Sequence, residues 1–185
     1  RAADGSAVSL PLDVRALDAP LRAGASVRGN KEELWTDRHV RAFGMEGQKR
    51  LSAVHVGIVG LGGLGSAMAS GLARLGVSRF TLVDPDRVEV HNLNRLVGMR
   101  AEDVEQGLRK ADVCRREIKA INAKAKCNTV ARDVLSKAAW SRLLDCDLIV
   151  AVTDNHTSRM LRNTLSQQFL IPQVSVGSLI EFDGG

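Results

Sequence analysis

The stretch Val54-His55-Val56-Gly57-Ile58-Val59-Gly60-Leu61-Gly62-Gly63-Leu64-Gly65 decides the fold. Val54 to Val59 is a short apolar run of the kind that forms a buried strand. A glycine-rich turn follows. Leu64, Met68, Leu72 and Leu75 then recur at helical spacing, which predicts a helix over 63–75 stopped by Gly76. Glycines between strand and helix permit a tight turn and let backbone N–H groups approach phosphate at the positive helix end. A second strand is predicted over 80–83. Asp84 ends it, where a carboxylate can bond ribose hydroxyls. Strand, turn, helix and acid together predict a nucleotide site that uses Gly60, Gly62, Gly63, Gly65 and Asp84. NAD, FAD and some ATP enzymes share this pattern. It is not a P-loop, because Ser66 follows Gly65 where that motif requires lysine.

Working outward, strands and helices keep alternating. A polar loop after Asp84 leads to a helix near 108–121, with Leu108, Ala111, Cys114, Ile118 and Ile121 in one stripe. Strands are predicted at 126–131, 147–152 and 172–177, with helices at about 136–144 and 155–168. Upstream, residues 35–51 suggest two short helical pieces broken at Gly44, and residues 1–33 read as a linker or N-terminal extension. The expected fold is α/β: a Rossmann-like, doubly wound, mostly parallel sheet with helices on both faces. It would occupy residues 34–185. The chain closes on Gly184-Gly185 where a turn would start, so truncation at the C-terminal end is expected.

Composition narrows the function classes. No apolar run among the 185 residues approaches the roughly 20 needed for a membrane span. No secretory signal pattern opens the chain, so the expected setting is cytoplasmic, without a membrane partner. The formal net charge is +5, yet aromatic residues make up only 3% and tyrosine is absent, so nucleic acid is not the expected partner. Cys114, Cys127 and Cys146 form no CxxC pair, which argues against a disulfide framework or a complete zinc site. Each reads as structural, with Cys114 on an apolar stripe, Cys127 in a strand and Cys146 between two aspartates that disfavour the thiolate.

The run Asp84-Pro85-Asp86-Arg87-Val88-Glu89-Val90-His91-Asn92-Leu93-Asn94-Arg95 resembles the D-x-D-x-V-x-x-x-N-L-x-R loop of the ThiF/MoeB/HesA family and the ubiquitin-activating enzymes. Arg38-His39 with Glu46-Gly47-Gln48-Lys49-Arg50-Leu51 is similar to that family's N-terminal segment. Gly107-Leu108-Arg109-Lys110 is similar to its G-x-x-K, and Val152-Thr153-Asp154-Asn155 to its T-D-N strand end. The resemblance spans roughly residues 35–185.

The resemblance implies adenylation of the C-terminal glycine of a ubiquitin-like or sulfur-carrier protein ending in Gly-Gly, with release of pyrophosphate. The implied cofactors are ATP and Mg²⁺. Gly62 and Gly63 would line the phosphate path, Asp84 would hold the ribose, and Asn92, Arg95 and Lys110 would contact phosphates. Asp154 would hold Mg²⁺, with Asp86 and Asn155 also at the nucleotide. Arg38 would reach the γ-phosphate of the neighbouring subunit in a homodimer. Taken from the residues alone, Arg38 and Arg95 can equally be surface ion-pair partners, Lys110 a solvated helix residue, Asp86 turn chemistry, and Asp154-Asn155 a helix cap. Two departures from the family stand out: Leu96 replaces a common Gln, and Glu105-Gln106 lengthen the loop before Lys110. No cysteine here stands where the family's thioester or persulfide cysteine would be. Three other readings remain open. They are a tRNA-modifying dehydratase of the same family (threonylcarbamoyladenosine cyclisation), a non-catalytic scaffold subunit, and an NAD-dependent oxidoreductase.

Overall fold

The computed structural model describes residues 35–153 and 167–177. The expected extension over 1–33, most of the helix at 155–168, and the Gly184-Gly185 end lie outside these residues. In chain order the elements are α1 (Asp37–Ala53), β1 (His55–Val59), α2 (Gly63–Arg74), β2 (Arg79–Val83), a 3-10 turn (Val90–Asn92), α3 (Ala101–Glu105), α4 (Lys110–Ile121), β3 (Lys126–Val130), α5 (Lys137–Leu143), β4 (Leu148–Ala151) and β5 (Gln173–Ser175). The five strands lie in the order β3-β2-β1-β4-β5. Every pairing is parallel, with Val56 opposite Phe80 on one side and Leu148 on the other. This is the doubly wound arrangement expected from the alternating pattern. Its strand order reverses between β1 and β4.

Side chains leave a strand on alternate faces, so one sheet separates two cores. Val56, Ile58, Phe80, Leu82 and Val150 point into the core shared with α2 and α4. Val59, Val83 and Ile149 point the other way, against Ala139 and Leu143 of α5. Gly57 shares that second face, where a Cβ would stand 2.8 Å from a Leu143 methyl carbon; the missing side chain lets α5 pack close.

His55 is buried in β1 as a satisfied core polar group. One ring nitrogen lies 2.9 Å from the Asp145 carbonyl and the other 3.0 Å from Thr81 Oγ1. A carbonyl can only accept, so Nδ1 carries a proton toward Asp145, and Nε2 pairs with the threonine hydroxyl, which can donate or accept.

The kink expected at Gly44 is present: α1 is interrupted there at φ 73°, ψ 167°. The polar loop after Asp84 differs from expectation, because it holds both the 3-10 turn and α3. Its order comes from contacts far apart in sequence. Arg87 bridges to Arg109, and the Val88 N–H donates to the Leu108 carbonyl at 2.9 Å. Leu96 is buried with Val88 and Val113 in a small third core, so this departure from the family pattern anchors the loop. Among the described residues no helix is long and apolar enough to cross a membrane.

Candidate nucleotide site

The carboxyl ends of β1, β2 and β4 open into a cleft of about 600 Å³. Its position beside the reversal of strand order is where open α/β sheets bind ligands. Gly60, Gly62, Gly63 and Gly65 line it, and each is glycine for its own reason. Gly60 turns the chain at φ +88°, and a Cβ there would lie 2.7 Å from the Val152 carbonyl oxygen. A Cβ on Gly65 would lie 1.9 Å from the Gly60 carbonyl oxygen. On Gly63 it would press on the Arg95 side chain at 3.1 Å, whereas at Gly62 it would meet open space. The first pair shapes the turn, and the second pair keeps the cleft wall bare. Gly62 is also the N-cap of α2 and no side chain caps that helix, so its first-turn N–H groups remain available to an anion.

Asp84 is 5% exposed, and both carboxylate oxygens are engaged. One accepts the Leu61 N–H at 2.6 Å and the other the Asp86 N–H at 2.9 Å. Burial pushes its carboxyl above the ordinary value, opposed by those two N–H donors and by the charge of Lys110. Asp84 thus locks the glycine turn to the next loop, a role beyond the ribose contact expected of it.

Lys110 and Arg95 bring the positive charge. Lys110 opens α4. Its N–H donates to the Asp86 carbonyl at 3.1 Å, and its Nζ meets Asp86 Oδ2 at 2.7 Å. The longer loop before Lys110 therefore does not displace it: the pairing of 84–88 with 107–110 sets its place. Arg95 lies along Gly63, with one guanidinium nitrogen on the His91 carbonyl at 2.6 Å and on Asn94 Oδ1 at 3.1 Å.

Two expected residues are not on the cleft lining. Asn92 is buried, and its Oδ1 accepts the Glu89 N–H at 3.0 Å. Its carbonyl accepts the Arg95 N–H at 3.0 Å, so the structure makes it a support for Arg95. Arg38 is exposed on α1. Asp154 and Asn155 lie outside the described residues, although Thr153 before them lines the cleft. The Thr153 hydroxyl is buried without a hydrogen-bond partner among the described residues.

Asp133, Val134 and Val176 complete the wall and were not foreseen. Val134 and Asp133 follow β3 as an ordinary-looking strand exit, and only the sheet order brings that exit to the cleft. The thiols are silent, as expected. Burial raises Cys127 and pushes Cys114 up to about 12 and Cys146 up to about 11.

Comparison with known proteins gives the family and the fold. The ThiF family model matches residues 36–185. The chain is 37% identical over 163 residues to a sulfur carrier protein adenylyltransferase of Thermus thermophilus, covering 85% of this chain and 58% of that protein. It is 32% identical over 130 residues to the sulfur carrier protein ThiS adenylyltransferase of Bacillus subtilis, covering 70% and 39%. Among solved structures, E. coli tRNA N6-threonylcarbamoyladenosine dehydratase in complex with ATP superposes with a TM-score of 0.75 at 26% identity. That match covers 83% of this chain and 64% of that one. The chain thus spans 58% and 39% of the length of the two adenylyltransferases, less than two thirds of either. It belongs to the ThiF family.

Proposed function

We propose that this chain is the ATP-binding part of an enzyme that adenylates the C-terminal glycine of a ubiquitin-like or sulfur-carrier protein and releases pyrophosphate. The observation that carries the reading is the pairing of a bare glycine wall with two cleft cations, Lys110 and Arg95. Two cations suit the higher charge of a triphosphate better than the single pyrophosphate of a dinucleotide. A carrier-protein partner is supported by relatives whose names are sulfur carrier protein adenylyltransferases. A cytoplasmic homodimer fits the same reading.

The residues present suit the nucleotide. Open space at Gly62, uncapped N–H groups at the start of α2 and the two cations match a polyphosphate. The Thr153 hydroxyl, one residue before Asp154 and without a partner among the described residues, suits a hydrated metal or phosphate oxygen. Asp154 would hold Mg²⁺, which supplies further charge neutralisation at the phosphates.

In the reaction a carboxylate oxygen of the carrier's terminal glycine bonds to the α-phosphorus. The bridging P–O bond breaks, and pyrophosphate leaves with the electron pair. The nucleophile is already ionised near neutral pH, so no general base is required. Lys110 and Arg95 stabilise negative charge as it gathers on the phosphoryl oxygens. The Arg95 guanidinium rests on the His91 carbonyl and the Lys110 main chain on the Asp86 carbonyl, so both residues are anchored at the cleft.

The test is ATP–pyrophosphate exchange with the carrier protein. Arg95→Ala, Lys110→Ala and Asp154→Ala should each lower exchange by about 10²–10³. Full activity in all three would sink the mechanism. The likeness to the E. coli dehydratase supports one second reading, activation of a tRNA-linked carboxylate. Exchange that requires tRNA and ignores the carrier protein would select it.

A further inference from the structure

We propose that Asp86 is a positioning residue: its carboxylate competes with the polyphosphate for Lys110, and takes Lys110 back as pyrophosphate leaves. This rests on the ATP reading of the cleft and deepens it.

Lys110 is largely enclosed, with 15% of its side chain exposed, whereas Asp86 is 58% exposed at the cleft rim. The ammonium lies 2.7 Å from Asp86 Oδ2. A phosphate that is to touch Lys110 must therefore displace this carboxylate or share the ammonium with it. Both residues line the same cleft, so the Asp86 charge also faces an incoming polyanion directly. Two effects have the same sign: competition for the lysine and like-charge repulsion both weaken ground-state binding of the nucleotide.

The backbone makes the exchange reversible. The Asp86 N–H is fixed on Asp84 Oδ1 at 2.9 Å, and the Asp86 carbonyl accepts the Lys110 N–H at 3.1 Å. The main chains of the two residues therefore stay joined when the side chains separate. Only the carboxylate and the ammonium need to swing. When pyrophosphate departs, Asp86 re-forms the pair and disfavours rebinding of the product. Because the pair is half in solvent, the effect is modest, and a shift of about two- to fivefold in affinity is expected.

A purely structural Asp86 predicts the opposite sign, since loosening Lys110 would weaken phosphate binding. The test measures binding of ATP, pyrophosphate and adenosine by titration calorimetry to the full-length protein and to Asp86→Asn and Asp86→Glu. Both variants keep the backbone tether. Asp86→Asn should bind ATP and pyrophosphate two- to fivefold tighter, with adenosine unchanged, and Asp86→Glu should stay near the wild type. Unchanged or weaker ATP and pyrophosphate binding in Asp86→Asn, in protein with wild-type melting, would overturn the proposal. An equal gain for adenosine would overturn it too, since adenosine carries no phosphate. Wild-type protein that does not bind ATP at all would defeat the ATP reading itself, a result separate from any difference between the variants.

Discussion

At the scale of single residues, the glycine turn separates positions that shape the fold from positions that admit a ligand. A methyl on Gly65 would lie 1.9 Å from a backbone oxygen, and no rotamer change can relieve that. Gly65→Ala should therefore cost about 3 kcal/mol of stability in urea unfolding, the upper end of what overpacking typically costs. Gly62 has φ −70° and open space for a Cβ, so Gly62→Ala should cost under about 1 kcal/mol. It should nevertheless weaken ATP binding in a titration, because the methyl enters the cleft. An equal stability loss in both variants would contradict this division. The glycine run and Asp84 were legible in the sequence as a nucleotide signature. Their separate duties were not. A glycine in a sequence shows only that a Cβ is absent, and what that Cβ would strike is set by the fold: Gly60 for Gly65, but the distant Val152 for Gly60 and Arg95 for Gly63.

At the scale of elements, the loop between β2 and α4 is ordered by an ion pair that periodicity cannot reveal. Asp103 in the first turn of α3 accepts the Arg100 N–H at 2.8 Å and two Arg116 guanidinium bonds at 2.5 and 2.7 Å. Arg116 also donates to the Gly98 carbonyl at 2.7 Å, so α4 holds the middle of the loop at two points, Gly98 and Asp103. The Arg116 guanidinium holds the Asp103 carboxyl below its usual range, although burial opposes it. A carboxyl depressed in the folded state stabilises the protein above its unfolded value of roughly 3.9, and that contribution is lost as pH falls through the folded value. Asp103→Asn should thus lower stability by about 1–3 kcal/mol at pH 7, since Arg116 keeps partial contact with water. Its difference from wild type should shrink below about pH 4, as measured by urea unfolding at pH 7 and 3. A constant difference across that range would contradict the clamp. The strands and the α4 stripe were readable because they extend over enough residues to show a period. At five residues α3 is too short for that, and its partner sits 13 positions downstream.

At the scale of the whole molecule, the sheet order explains why residues scattered from Gly60 to Val176 share one cleft, and it also leaves Arg38 apart. Under the proposed function that arginine would act in a neighbouring subunit's site. Its exposure is compatible with such a role: Arg38 is exposed on α1, and Trp35, Phe43 and Met45 of the same stretch of chain expose apolar surface. A mixing experiment separates action across an interface from action within one chain. Arg38→Ala and Lys110→Ala should each be nearly inactive alone in ATP–pyrophosphate exchange. In a mixed dimer, the protomer carrying Arg38→Ala keeps its own Lys110 and receives Arg38 from its partner. That site is complete, while the other lacks both groups. Random pairing makes about half the dimers mixed, with one working site each, so exchange should recover to about a quarter of the wild-type level. If Arg38 served its own chain, every site in the mixture would lack one group and no activity would return. Recovery that disappears on dilution, in step with the dimer fraction in sedimentation, would tie the arginine to the interface. Activity that never returns under any mixing condition would remove Arg38 from the partner's site.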